Sequence, residues 1–463
     1  MYSKDYHIHF IGIGGIGMSG IAEILLNTGY RVSGSDLNAT DITRRIQRLG
    51  GTVYQGHRAG QITGADVVVT TSALSDDNPE LQAAAASGVP VIERARMLAE
   101  IMRPKFGIAV SGAHGKTSTT SLVASVLMEA GLDPTVVIGG KLNNIGTNAV
   151  LGTGKFIVVE ADESDGSFLH YTPAVAVVTN LDLEHLDFYS GMDHIQQVFL
   201  DFLERIPFYG AAIVCTDNTA ARQLIPKINR RVLSYGIESS ADLSAGSIVP
   251  QGLSSRFEVM YKGQPLGPVE LNLPGSHNVY NSLAAIAVGL ELDVTFDIIQ
   301  SALAKTQGVQ RRLQVKGEMR EVIVVDDYGH HPTEIRTTLD AVAKGWPNRR
   351  KVVVFQPHRY TRTQALFDEF ARSFDDADLL ILLPIYAASE PEIKGVSSEI
   401  LCEKIRSTGH AEALYMESME DCVAYLSARL KPNDVLLTQG AGNVLEVGEQ
   451  ILARWSAADG VTA

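Results

Sequence analysis

Two glycine-rich turns, with acidic and imidazole groups downstream, are the residues in this chain whose types and spacing suit chemistry. Residues 107–121 read GIAVSGAHGKTSTTS. A lysine and a hydroxyl directly after a glycine turn suit a nucleoside triphosphate: backbone N–H groups cradle the phosphates, Lys116 reaches the β/γ oxygens, and Thr117 can hold Mg²⁺. The spacing from Gly112 to Gly115 is GxxGKT, shorter than the common GxxxxGK[ST], because position 110 is Val. A strand before and a Ser/Thr-rich helix after are nevertheless what the chemistry requires. Residues 8–20, IHFIGIGGIGMSG, set Gly12, Gly14 and Gly17 in GxGxxG spacing. Without side chains the backbone can approach a diphosphate, and the next helix offers unpaired N–H groups. Asp36, 24 residues after Gly12, ends a second strand where a carboxylate accepts hydrogen bonds from ribose hydroxyls. Taken alone, that turn reads as an NAD site and the chain as an oxidoreductase; a turn whose glycines serve packing only is the other reading.

FIVVEADESD places Glu160 just past a buried strand, and AVVTNLDLEHLD places His185 just past the next. Carboxylate oxygens suit hard Mg²⁺, which shares its ligands with ATP phosphates and water. Glu160 can equally be a solvated loop carboxylate and His185 a satisfied histidine. Asp162, Glu163, Asp165, Asp182, Glu184 and Asp187 crowd the same segments, and pattern alone does not choose among them.

The elements that must position these groups are legible as continuous apolar runs with helical patterns between them, such as HIHFIGIG, FGIAVSG, AVAVVTNLD, VIVVDDYG and DVLLTQGAG. Buried parallel strands alternating with helices define an α/β architecture. The 463 residues divide into about three such blocks. The first, 1–103, closes with RARMLAEIMR before Pro104; the second spans 104–312; the third, 313–463, fills the remainder. Residues 232–275 alternate in short stretches rich in Gly, Ser and Pro, which predicts a small antiparallel sheet in the middle block. Hydrophobic residues make up 45% and charged residues 20%, so a well-cored globular protein is expected. With 39 basic against 53 acidic side chains and a net charge of −14, a broad nucleic-acid or anionic-membrane surface is excluded, and any anionic ligand must meet a few focused cations. Cys215, Cys402 and Cys422 lack metal or disulfide spacing. With no leader pattern and no long apolar run, a cytoplasmic protein that does not enter the membrane is expected.

The ordered set GIGGIGMS, GAHGKT, EADESD, NLDLEHLD, HNVYN, Arg311–Arg312, DDYGHHPTE and QPHRYTRT resembles the Mur ligases, the ATP-dependent ligases of peptidoglycan precursor synthesis. The resemblance spans essentially the whole chain. It implies an N-terminal Rossmann-like domain for a UDP-sugar, a central phosphate-loop ATPase-type domain, and a C-terminal Rossmann-like domain that closes on ATP and the amino acid. The implied reaction joins L-alanine to the lactyl carboxylate of UDP-N-acetylmuramate through an acyl phosphate, with Mg²⁺, or Mn²⁺ in its place. The implied protein is a monomer or weak homodimer acting on small molecules.

Carried over residue by residue, the resemblance sets Gly12, Gly14, Gly15, Gly17, Asp36 and Ser72 around the UDP-sugar, which displaces the dinucleotide reading. Gly112, Ala113, His114, Gly115, Lys116, Thr117 and Ser118 would hold ATP, with Asn278, Asn281, Arg312 and Asp327. Thr117, Glu160 and His185 would bind metal. His331, His358, Arg359 and Arg362 would serve the substrate carboxylate and alanine, and the implied catalytic set is Lys116, His185, Arg312 and His331. Three departures stand out: Ala113 where Thr is common, Arg96 where Glu is more usual, and Leu200 where relatives adding later amino acids carry a metal-bridging modified lysine. The last favours the alanine-adding step.

Overall fold

The strand His7–Ile11 is buried along its whole length and pairs in parallel with Arg31–Asp36 on one side and Val67–Thr70 on the other. Thr52–Gln55 and Val91–Glu93 extend that sheet at its two edges, so the order reverses at the first strand. Such a reversal opens a crevice at the carboxyl ends of the strands, where ligands bind in open α/β sheets. The glycine turn sits there, followed by the helix Ile16–Asn27.

In the computed structural model, residues 4–71, 74–75, 77–139, 148–185, 188–251, 254–410 and 412–460 are described. The chain divides into two compact units, one of Met1–Ser247, Phe257–Glu270 and Tyr280–Gln307, the other of Ile248–Arg256, Leu271–Val279 and Gly308–Ala463. The first unit carries the N-terminal sheet and the parallel heart of a ten-stranded sheet. In that heart Arg231–Gly236, Ala211–Cys215, Val175–Val178, Phe106–Ser111, Phe156–Glu160 and Thr135–Val137 lie side by side. The central strands Ala211–Cys215 and Val175–Val178 are buried on both faces, which is why they read as unbroken Val, Ile and Ala runs. The second unit carries a six-stranded sheet in the order Gln314–Met319, Val322–Asp327, Asp434–Gln439, Arg350–Phe355, Leu379–Leu382, Ala413–Tyr415, antiparallel only at the first pair. Two core clusters, one on each face, hold it. The α/β class expected from the sequence is therefore present in all three sheets.

One expectation is corrected. Arg231–Gly236 was expected among antiparallel strands, but it pairs in parallel with Ala211–Cys215 and then with the start of Leu243–Gln251. Its alternating burial, half-buried at Val232 and Ser234 and buried at Leu233 and Tyr235, mimics a one-sided antiparallel strand. Among the described residues, no helix is long and apolar enough to cross a membrane.

Candidate active site

The phosphate loop follows Phe106–Ser111 and leads into the helix Lys116–Glu129. It is latched by the end of the neighbouring strand. Asn180 Oδ1 accepts from His114 N at 2.8 Å, Asn180 O accepts from Ala113 N at 3.1 Å, and Thr179 Oγ1 donates to His114 O at 2.7 Å. The Ala113 and His114 amides are thus already engaged within the fold. The loop is two residues shorter than the common form, and this neighbouring segment braces it. Asn281, on the helix Ser276–Glu291, packs at the base of the loop: its Oδ1 accepts from Thr119 Oγ1 at 3.1 Å, and a methyl group on Gly115 would come within 2.6 Å of that oxygen. Asn278 is buried and donates to Pro274 O.

Lys116 Nζ donates to Gly112 O, Ala113 O and Glu163 Oε1, the last at 2.8 Å, and this ion pair is nearly buried. Burial works against the ammonium, but Glu163 and Asp162 more than offset it and hold Lys116 above its ordinary value. Burial pushes Glu163 up to about 7 against the pull of Lys116. Thr117 Oγ1 donates to Glu160 Oε1 at 2.9 Å, and Gly139 N donates to Glu160 Oε2.

Ligand atoms of Glu163, Glu184 and His185 lie within 4.8 Å of one another, and Glu163 Oε2 is buried without a hydrogen-bond partner. An orphaned buried carboxylate oxygen next to a second carboxylate and an imidazole is a donor set that fits a divalent cation. His185 thus groups with Glu163 and Glu184, while Glu160 groups with Thr117. Glu163 and Glu184 were among the residues that sequence pattern alone could not rank. Leu200, in the helix Met192–Leu203, packs against the apolar core.

A cleft of about 1220 Å³ joins the N-terminal glycine turn to the loop after Glu160, lined by Gly12, Gly15, Gly17, Asp36, His57, Arg94, Asp162, Ser164 and Phe188 among others. Asp36 Oδ2 accepts from Gly14 N at 2.9 Å, so this carboxylate braces the turn as well as facing the cleft. Ser72 lies outside the described residues. Beneath the cleft the buried carboxylate of Glu80 accepts from Ser35 Oγ and pairs with His9 Nε2 at 2.7 Å and His57 Nδ1 at 3.1 Å. Burial alone would raise Glu80, but those hydrogen bonds, led by His9, hold it below its ordinary value. This network explains a histidine in a fully buried strand. No local pattern announces it, because its members come from four separate segments. Arg96 meets His170 at an exposed 3.4 Å contact.

In the second unit, Asp327, at the end of Val322–Asp327, is buried and accepts from Leu313 N, Gly329 N and Thr338 Oγ1. Its carboxylate is committed to holding the chain at Leu313 and Gly329. His331 caps the helix Pro332–Gly345, its Nδ1 accepting from Thr333 N at 3.3 Å. A ring that accepts at Nδ1 carries its proton at Nε2 when neutral, so in this state it is not poised as a base there. Arg312 lies 3.7 Å from Glu334 and over the Tyr328 ring. Arg362 Nη1 meets His358 Nδ1 at 3.2 Å, His358 stacks on Tyr386, and Arg359 sits at φ 71° at the head of Tyr360–Ala365. All these residues gather at the carboxyl ends of the third sheet.

Burial, with Arg362 adding, pushes His330 down to about 3 and His358 down to about 4. The folded values lie below the unfolded 6.5, so the unfolded chain binds more protons as pH falls and stability drops from about pH 6.5 downward. We expect a loss on the order of 1 kcal/mol per histidine at pH 5 after allowing for partial exposure. Urea unfolding at pH 7 and pH 5 should show this fall, shallower in a His330→Gln/His358→Gln variant. An equally steep fall in the variant would refute the assignment.

A braced glycine–lysine turn with an acidic–imidazole cluster beside it, and a second glycine turn that opens on a cleft of its own, give an α/β protein with two turns suited to nucleotide phosphates. Family models match three consecutive stretches: the Mur ligase family catalytic domain at residues 7–106, the Mur ligase middle domain at 110–289, and the Mur ligase glutamate ligase domain at 311–442. The chain belongs to the Mur ligase family. It is 57% identical to a UDP-N-acetylmuramate--L-alanine ligase from Desulfatibacillum aliphaticivorans over 98% of this chain and 99% of that protein. It is 58% identical to one from Desulfosudis oleivorans with the same coverage. Its fold matches the crystal structure of a UDP-N-acetylmuramate-alanine ligase from Thermotoga maritima with a TM-score of 0.84 at 28% identity, covering 98% of this chain and 99% of that one.

Proposed function

We propose that this chain is an ATP-dependent ligase that joins L-alanine to the lactyl carboxylate of UDP-N-acetylmuramate, giving ADP and phosphate, in the cytoplasmic synthesis of peptidoglycan precursors. The observation that carries this reading is the 57–58% identity, over 98% of the chain, to ligases of that name. In this reading residues 1–103 hold the sugar nucleotide, 104–312 hold ATP, and 313–463 supply groups for ATP and alanine.

A carboxylate is a poor acyl donor and must first attack the γ-phosphate of ATP. Two anions about 4 Å apart repel by roughly 4 kcal/mol per charge pair at an effective dielectric near 20. Lys116 offsets this from a buried, preorganised position at no reorganisation cost during the step. Gly115 and the first turn of its helix present N–H groups to the phosphates. Glu163, Glu184 and His185 form one donor set for Mg²⁺ and Thr117 with Glu160 a second, and a cation there neutralises charge on the phosphates when bound. Arg312, held over Tyr328, supplies a further cation. Alanine must react as the neutral amine, although its ammonium form dominates at pH 7.

The test is phosphate release with ATP, UDP-N-acetylmuramate and a panel of amino acids, each component omitted in turn. Release should need all three, and glycine or serine should trail alanine by about ten-fold or more, as expected for one small group. Release without the amine, or a preference for a peptide, would overturn the reading.

A further inference from the structure

The cleft that receives the sugar nucleotide is short of positive charge. Among the described residues lining it stand four carboxylates, Asp36, Glu93, Asp162 and Asp165, and a single Lys or Arg, namely Arg94. A nucleoside diphosphate joined to a lactyl carboxylate brings about three further negative charges into this space. Arg94 lies across the first turn of the helix that follows the glycine turn: a methyl group on Gly17 would come within 3.1 Å of both Arg94 Cδ and Nη1. Its ion pair with Asp162 is loose, at 3.8 Å, and its side chain is only one-quarter exposed at 25%. Arg94 is also the first residue of its own helix, Arg94–Met102. A cation at that end opposes the helix dipole, so helix stability does not account for it.

We propose that Arg94 is the residue that binds the diphosphate of the sugar nucleotide, exchanging its loose contact with Asp162 for the phosphate oxygens. The guanidinium fork suits this role because it binds phosphate through paired N–H groups. The proposal rests on the function proposed above, and it assigns Arg94 to binding rather than to phosphoryl transfer. Gly17 acquires a reason as well: any side chain there would displace the guanidinium from the turn.

The test titrates wild type, Arg94→Gln and Arg94→Lys with UDP-N-acetylmuramate, UDP and uridine by calorimetry, alongside steady-state kinetics. In Arg94→Gln, affinity for UDP and for the sugar nucleotide should fall about ten-fold or more, with uridine unchanged within about two-fold. KM for the sugar nucleotide should rise by the same factor, while kcat and KM for ATP stay within about two-fold. The slope of log Kd against log salt should flatten. Arg94→Lys keeps the charge without the fork and should recover part of the loss, and it carries the test if Arg94→Gln does not fold. Undiminished UDP affinity in Arg94→Gln would overturn the proposal, as would equal weakening of uridine and UDP, which marks a merely structural role. If the wild-type chain itself binds neither UDP nor the sugar nucleotide, the function reading has failed, a result independent of the variants.

Discussion

Lys116→Ala is expected to abolish ATP-dependent ligation while UDP-N-acetylmuramate still binds the cleft of the first glycine turn. The lysine is held at the mouth of the phosphate loop by three oxygen acceptors. Losing a preorganised charge at a transferring phosphoryl group costs about 10³-fold in rate. The substitution also strands Glu163, whose carboxylate is 5% exposed. Breaking a buried ion pair by removing one partner costs about 3–5 kcal/mol. That penalty has a pH signature. Burial already sets Glu163 near 7, above its ordinary 4.5, and without Lys116 it rises further. The folded variant then binds more protons than the unfolded chain, so its stability falls as pH rises from 4.5 through the folded value and recovers in acid. Phosphate release, calorimetry with the sugar nucleotide, and urea unfolding at pH 5.5 and 8 would check the three parts. Loss of ligation and sugar-nucleotide binding together would mean that the two turns do not have separate ligands.

Gly112→Ala is expected to cost about 3 kcal/mol or more in stability and to remove ATP binding. Gly112 sits at φ 131°, and a Cβ there would lie 2.2 Å from Thr179 Oγ1 and 2.8 Å from Asn180 O. Backbone strain in such a region costs about 1–3 kcal/mol, and overpacking against backbone adds a comparable amount. The displaced segment is the one that braces the loop, so the phosphate-facing amides from Gly115 onward would shift with it. Gly131→Ala is the control: φ is 70° there and nothing lies within 4 Å, so it should cost about 1–2 kcal/mol and leave ATP affinity intact. Thermal unfolding and nucleotide titration of both variants decide the matter. Equal effects at the two positions would show that strain, and not the brace, sets the loop.

The amino-acid sequence by itself determined what depends on neighbours along the chain. Apolar runs of strand length, glycine turns at their carboxyl ends and helix patterns behind them put Gly12–Gly17 and Gly112–Thr117 at strand–helix junctions. Helix stops such as Gly88 after Pro79–Ser87 are equally local, since an αL position asks for glycine wherever it falls. Short strands escaped: Thr135–Val137, Val91–Glu93 and Ala413–Tyr415 have three residues each, too few for a period, and pair only because a longer strand lies beside them. The tertiary structure alone decided which acidic groups matter. Among the described carboxylates of those segments it set Glu163 against Lys116 and Glu184 beside His185, turned Asp327 and His331 inward as a brace and a helix cap, and laid Arg94 over Gly17 from a distant helix. Periodicity records which face of an element is buried, whereas charge pairing and close approach are set by segments far apart in sequence that meet only when the sheets are assembled.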